Sequence, residues 1–350
     1  MLRTMQGYWL ARILLGVGVC VMTSGAIAVS PPTAERPWRA LHIFVNSNAK
    51  LQKLTGQLPE LAKLGINCVI AQVDYAYEFE SHPELRFGKE PITKAEAQRF
   101  AAECRRNGIE PVPQFSCLGH QSWGEQTVGI LAKYPELDLT PGAFPGNKGI
   151  YCREWDPMNP KTNELAFALI DELIDAFDAK AFHVGLDEVF LIVSDKAPST
   201  RGLDPADVFA KVVNDLHAHI VGQRKVTMVM WADRLIDAKK VNLGEWESSK
   251  IGTAGALDKI PKDIVLCPWH YETRKAYESL PLFAEKGFPV LAASWKDTAA
   301  TLALIRDEKR NAASGRIVGH MFTTWSERDG DWEEFEPMVK GLELLKAGGE

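Results

Sequence analysis

The chain has no cluster of lysine and arginine, and its formal net charge is −6. Binding along a phosphate backbone needs a basic stripe, so nucleic acid is not an expected partner. There is no C-x-x-C pair. The six cysteines are spread at long, irregular intervals, which argues against a zinc site and, at this length, makes a disulfide framework unnecessary. No G-x-G-x-x-G stands behind the first apolar run, which removes the commonest reason to expect a doubly wound dinucleotide-binding sheet. No His-x-His pair follows that run either. His217 and His219 fall within a helical pattern, so neither a metal site nor a cofactor is expected. Low-complexity linkers are missing as well. What remains is 46% apolar and 25% charged residues, the composition of an ordinary soluble globular protein. Ten tryptophans are its one unusual count.

At the N-terminus, Arg3 and Arg12 precede the stretch ILLGVGVCVMTSGAIA, which ends in Ala26-Ile27-Ala28. Positive charge, a short apolar core and an A-x-A site in that order predict a secretory signal peptide over residues 1–28. The competing reading, an uncleaved membrane anchor, would want a longer core. Cys20 follows Val19, a larger residue than usually precedes a lipidated cysteine. The expectation is an exported protein, periplasmic or secreted, whose mature chain is a single domain over 29–350 with no membrane association once the signal is removed. Its oligomeric state is left open. Five cysteines then remain, so at least one thiol is unpaired. Cys68, Cys117 and Cys267 lie in apolar runs, as small buried hydrophobes do.

Eight short apolar runs alternate with longer helical patterns: 41–46, 68–74, 110–116, 181–187, 226–233, 264–271, 289–295 and 317–325. Between them, stretches such as TKAEAQRFAAECRRNG and NELAFALIDELIDAFDA repeat apolar residues at three and four, the helical period. Gly65 and Gly108 fall where left-handed C-caps are wanted. Near-continuous apolar strands alternating with helices imply parallel strands buried on both sides. Eight such units predict an α/β fold with a single (β/α)8 TIM barrel, the open doubly wound sheet being the alternative. Residues 134 to 160 have no clear periodicity, and loops of that length usually form lids or binding walls.

Chemistry in such barrels sits at the C-terminal ends of the strands. The first run leads to Asn46, the second to Asp74 and Tyr75, the third to His120 and Trp123. The fourth ends in Asp187-Glu188, the fifth in Trp231 and Asp233, the sixth in Trp269-His270-Tyr271, the seventh in Trp295, and the eighth in Trp325 with Glu327. Indole faces beside carboxylates suit a sugar, whose C–H faces pack on aromatic rings while its hydroxyls bond polar groups. A tryptophan taken singly is equally well a large core residue. For the acidic pair in FHVGLDEVF two readings compete. Where the backbone leaves the sheet, alternation no longer sends neighbours to opposite faces. Both carboxylates could then share the rim, and the charge of Asp187 would favour a Glu188 that keeps its proton and acts as an acid. Alternatively Asp187 caps the following helix and Glu188 is a solvated first-turn charge.

With that stretch in place, the chain resembles the β-N-acetylhexosaminidases of glycoside hydrolase family 20, which carry His-x-Gly-x-Asp-Glu at the end of the fourth strand. His183, Gly185, Asp187 and Glu188 fill those positions. GIEPVPQFSCLGH is similar to that family's third strand, with Gly119 and His120 as its Gly-His pair. MVMWADRL resembles the fifth, through Trp231, and TTWSE the eighth, through Trp325 and Glu327. The resemblance spans about residues 40 to 345. It implies a glycosidase acting on a carbohydrate with terminal β-linked N-acetylhexosamine, retaining configuration by substrate assistance rather than by the usual two carboxylates.

On that resemblance, Glu188 is general acid and base and Asp187 orients the 2-acetamido group. Tyr271 bonds the acetamido oxygen, while Trp231, Trp269, Trp295 and Trp325 wall the pocket. Glu327, Asp74, His120, His183 and Asp233 belong to substrate binding. GINCVIAQVDYAYEFES matches the family's second strand only approximately, and the chain departs from the family in three further places. Asn46 and Asn48 stand where an arginine usually ends strand one, Leu186 replaces the motif's second glycine, and no α/β domain is recognised before the barrel. A two-carboxylate glycosidase, which could take only Asp297 or Glu327 as nucleophile, and a non-catalytic carbohydrate-binding barrel are the alternatives.

Overall fold

The structure, a computed structural model, describes residues 31–325 and 328–347. The expected signal peptide, Cys20 and Glu327 lie outside the described residues. Eight parallel strands close a barrel in chain order: β1 Trp38–Phe44, β2 Cys68–Gln72, β3 Glu110–Cys117, β4 Ala181–Gly185, β5 Thr227–Trp231, β6 Val265–Cys267, β7 Val290–Ser294 and β8 Ile317–Thr323. Every expected run supplies one strand, so the TIM barrel is the fold observed and the open doubly wound sheet is not.

Boundaries shift for local reasons. β1 starts at Trp38 rather than Leu41, because Trp38 and Arg39 continue the ladder against Gly319 and His320 of β8. β6 is only three residues long. Pro268 follows it, with no N–H to give the ladder, and pairing resumes only as an isolated bridge between Trp269 and Ala293.

Helices α1 Asn48–Leu64, α2 Lys94–Arg106, the short α3 Gly129–Lys133, α4 Pro160–Phe177, α5 Pro205–His217, α6 Ser279–Glu285, α7 Thr298–Asn311 and α8 Glu336–Lys346 surround the barrel. Ser47 caps α1 by accepting the Lys50 N–H, and Gly65 closes it at φ +117°. The alternation of strand and helix breaks once. After β5 the chain makes only two 3₁₀ segments, Asp233–Leu235 and Thr253–Asp258, the second in a stretch where Gly244, Gly252 and Gly255 weaken helix formation. Among the described residues, no helix is long and apolar enough to cross a membrane.

Two apolar layers result. One lies between strands and helices, and the other fills the barrel with Trp38, Ile70, Val112, Val229, Trp231, Leu291 and Met321 among others. Cys68, Cys104, Cys117, Cys152 and Cys267 are all buried free thiols, and Cys68 and Cys267 belong to the barrel interior. With the interior packed, any solvent-filled hollow must sit at a rim.

Candidate active site

At the C-terminal rim a cavity of about 350 Å³ opens, lined by Phe44, Gln72, His120, Trp123, Tyr151, Asp187, Glu188, Trp269, Tyr271, Trp295 and Trp325. Its acidic wall depends on an unusual chain path at the end of β4. Gly185, Leu186 and Glu188 have φ of +69°, +71° and +53°, so the strand's alternation stops there. A Cβ on Gly185 would lie 3.1 Å from Ser116 Cα, which is why β4 can approach β3 this closely only at a glycine. Leu186, which sits where the family motif commonly has glycine, accepts the left-handed backbone while burying its side chain in the outer core. Asp187 and Glu188 consequently face the same cavity. The next α-helix begins only at Pro205, so Asp187 caps no helix and that reading of the pair is excluded.

His120 joins the two acids. Its Nε2 is 3.2 Å from Asp187 Oδ2 and 3.4 Å from Glu188 Oε2. Burial alone would lower the His120 pKa, but the charge of Asp187, helped by Cys152 and by hydrogen bonds to both acids, outweighs this and holds it well above the ordinary histidine value. Burial would likewise raise Asp187. The charge and hydrogen bond of His120 outweigh that and keep it below the usual carboxylate value. An imidazolium–carboxylate pair therefore sits beside Glu188, and the repulsion expected between neighbouring acids is met by a cation between them. No second cluster of potential metal-ligating groups occurs among the described residues beyond His120, Asp187 and Glu188.

Glu188 is fixed from behind. Its backbone N–H donates to Asp233 Oδ2 at 3.0 Å, and Arg234 Nε donates to the same oxygen at 2.6 Å. Burial pushes Asp233 up to about 6 despite the guanidinium. Arg234 also donates to the carbonyls of Glu245, Trp246 and Ser248, at 2.6, 2.8 and 3.0 Å. Glu154 holds the chain just beyond, its Oε1 accepting the N–H groups of Phe190 and Leu191 at 2.6 and 2.7 Å.

Opposite the acids, Trp325 Nε1 donates to the Tyr271 hydroxyl at 3.2 Å, and Trp269 stacks on Tyr271 with ring centroids 5.0 Å apart. Trp295 lies 5.3 Å from the Tyr271 ring. Burial pushes the Tyr271 phenol above its ordinary pKa, so it remains a neutral hydroxyl able to donate.

Asp187, Glu188, Tyr271, His120, Trp269, Trp295 and Trp325 thus converge on one cavity. Four other expected site residues do not reach it. Trp231 is fully buried and lies under Trp325, centroids 5.7 Å apart. His183 is also fully buried, against Trp231, with its Nδ1 accepting the Gly185 N–H at 3.1 Å. Both form the floor. Asp233 is a support behind Glu188. Asp74, which accepts the Ser116 N–H at 2.8 Å and a Gln72 Nε2 hydrogen at 2.9 Å, opens on an adjoining cleft. Asp297 accepts the Ala300 N–H as N-cap of α7, which leaves it no part in the cavity.

Sequence reasoning missed Phe44, Gln72 and Tyr151. The first two are ordinary strand-end residues with no signature. Tyr151 comes from the aperiodic segment 134–160, whose fold is held by buried Arg153, donating to Asp138, Asn147 and the Ala143 carbonyl at 2.7, 2.7 and 2.9 Å. That segment does form a wall of the cavity, as its length suggested.

Residues 53–339 match the model of the glycosyl hydrolase family 20 catalytic domain. The chain is similar to a lacto-N-biosidase of Bifidobacterium bifidum, 24% identical over 276 residues, which cover 76% of this chain and 22% of that protein. It is also similar to a beta-hexosaminidase of Emericella nidulans, 25% identical over 284 residues, 74% of this chain and 43% of the other. The chain spans less than half the length of these relatives. The solved structure of Flavobacterium johnsoniae chitobiase shares the fold, with a TM-score of 0.59 at 18% identity over 88% of this chain and 51% of that one.

Proposed function

Because the chain belongs to glycosyl hydrolase family 20, we propose that it hydrolyses β-linked N-acetylhexosaminides by a retaining mechanism in which the substrate's own acetamido group is the nucleophile. The observation that carries this reading is that Asp187 and Glu188 face one cavity with His120 between them and Tyr271 opposite. The sugar sits with its acetamido group toward Tyr271, Trp269 and Trp325. Its amide N–H donates to Asp187, which stays ionised beside His120, and its carbonyl oxygen accepts from the Tyr271 hydroxyl. That oxygen attacks C1 as the bond from C1 to the leaving oxygen breaks, and Glu188 gives its proton to the leaving group. The positive oxazolinium ring that forms is steadied by the Asp187 carboxylate. A water oxygen then bonds C1, its proton returns to Glu188, and the acetamido group is restored with configuration retained.

Neutral floor residues fit this scheme. Burial pushes His42 down to about 4 and His183 well below its ordinary value, so no second cation competes with His120 for Asp187. The purified protein is expected to release 4-nitrophenol from N-acetyl-β-glucosaminide or N-acetyl-β-galactosaminide, and Glu188→Gln to slow this about 10²–10⁴-fold. A thiazoline mimic of the intermediate should inhibit. Equal rates on plain glucosides would remove the acetamido mechanism, and binding without turnover would leave a carbohydrate-binding barrel. We also propose export, on the strength of the charge, apolar core and Ala26-Ile27-Ala28 order. N-terminal sequencing of the mature protein should then begin at Val29.

A further inference from the structure

One polar row behind the cavity takes no part in the scheme above. Trp269 and Tyr271 line the cavity, and His270 between them points the other way, as alternation along an extended chain requires. Its side chain is 1% exposed. There His270 Nδ1 lies 2.6 Å from Glu247 Oε2 and its Nε2 2.7 Å from Ser279 Oγ, with the Tyr277 ring 5.1 Å from the imidazole. A carboxylate only accepts, so Nδ1 donates to Glu247. The order Ser–His–Glu is that of a hydrolase triad, but Ser279 is fully buried at the start of α6, where no substrate reaches its Oγ. The row is a brace, and what it braces is the segment that carries Tyr271.

That segment needs one. β6 ends at Cys267, and Pro268 has no N–H to give the ladder. Beyond it the backbone is held by the bridge between Trp269 and Ala293, where the His270 N–H donates to the Ala293 carbonyl at 3.0 Å. Tyr271 follows directly, so the phenol is placed by the orientation of residue 270, which the two side-chain hydrogen bonds of His270 fix. Glu247 is itself held. It lies in the loop whose Glu245, Trp246 and Ser248 carbonyls accept from Arg234, the residue that pairs with Asp233 behind Glu188. One loop thus ties the acid wall of the cavity to its aromatic wall. Resting on the proposed function, we infer that Glu247 and His270 are positioning residues, which hold the Tyr271 hydroxyl on the acetamido oxygen as that oxygen attacks C1. A misplacement of about 1 Å, caused by a change remote from the chemistry, can cost about 10²-fold in rate.

The test is a double-variant cycle on the release of 4-nitrophenol from 4-nitrophenyl N-acetyl-β-glucosaminide or the matching galactosaminide, whichever is cleaved faster. Glu247→Ala should lower kcat about ten-fold or more with KM changed less than about three-fold, because the interaction lost is made in the transition state. In a Tyr271→Phe background the same change should lower kcat less than about two-fold further, since the hydroxyl it positions is already gone. Glu247→Gln, whose amide oxygen can still accept from Nδ1, should return kcat to within about three-fold of the unaltered enzyme. If Glu247→Ala does not fold, judged by circular dichroism, Ser279→Ala takes its place and should lower kcat about three-fold or more with the same dependence on Tyr271. An equal fractional loss in both backgrounds, a higher KM at unchanged kcat, or no loss at all overturns this inference while the proposed function stands. If the unaltered enzyme cleaves neither glycoside, the proposed function falls and this inference with it.

Discussion

Replacing Arg234 with methionine tests whether the acid–base residue depends on a buried charge pair. Arg234 and Asp233 are each 1% exposed and 2.6 Å apart. Breaking such a pair by removing one partner costs about 3–5 kcal/mol, because the other charge stays buried without compensation. The carbonyls of Glu245 and Trp246 can turn to water, as those residues are exposed, so their lost bonds add little. The Ser248 carbonyl is buried and adds about 1 kcal/mol. Methionine recovers part of the packed volume, which keeps the expected loss near ~4 kcal/mol on the same basis.

Urea unfolding at pH 7, followed by tryptophan fluorescence, should show a lower midpoint at unchanged slope. Asp233→Asn alone leaves Arg234 unpaired and should cost a similar amount. The double variant should then be more stable than the sum predicts by about 2 kcal/mol or more, since each single change strands the other's charge. Because Asp233 Oδ2 also takes the Glu188 N–H, kcat should fall about ten-fold or more in the folded variant, an effect of about 1.4 kcal/mol on the barrier. A loss below ~1 kcal/mol with additive single variants would refute the idea that this pair holds Glu188 in place.

Tyr271→Phe removes one donor aimed at the acetamido oxygen and should lower kcat about 10²-fold or more with little change in KM; unchanged kcat would take Tyr271 out of the mechanism. Glu110, at the start of β3, has both carboxylate oxygens buried without partners, and burial, only partly opposed by Arg105 and Lys180, pushes it up to about 7. Between its ordinary pKa and that value the folded chain holds a proton the unfolded chain has lost, so stability falls as pH rises through this window. Glu110→Gln should flatten that fall and be the more stable protein at pH 8 but not at pH 4, by roughly 1–3 kcal/mol. Leu186→Gly sets two effects against each other, relief of about 1–2 kcal/mol of left-handed strain and loss of a buried leucine worth about 3–5 kcal/mol. The second wins, and chemical unfolding should show net destabilisation.

All eight barrel strands were legible because a strand covered on both faces must be written in β-branched and small apolar residues. What the sequence hid was where each strand stops. Trp231 is the last residue within β5, so it points into the packed interior. Trp269, Trp295 and Trp325 come one or two residues after their strands end, where the chain is leaving the sheet, and they line the cavity. A one-residue difference in strand length thus separates a core tryptophan from a site tryptophan, and apolar patterning does not resolve it. Tyr151 was hidden for another reason, because its position is set by the hydrogen bonds of Arg153 within a segment that has no period to read. The missing helix after β5 is a third case, in which glycines overrode the expectation carried by the other seven units.

The acidic pair shows how site geometry is drawn from fold stability. Two successive side chains reach one face only if the backbone between strand and loop turns left-handed, at about 1–2 kcal/mol for each non-glycine residue. Two such residues, Leu186 and Glu188, are present here. Leu186 offsets its strain by burying a full side chain, worth about 1.5–3 kcal/mol, and Glu188 offsets its own by donating its N–H to a carboxylate, worth about 1.5–3 kcal/mol. The carboxylate that accepts it would itself be untenable at full burial without Arg234. Each device that holds the acids in register therefore lies one step further from the substrate: a leucine in the outer core, an aspartate behind the loop, an arginine behind the aspartate. Residues that never touch the sugar decide whether Asp187 and Glu188 face it together.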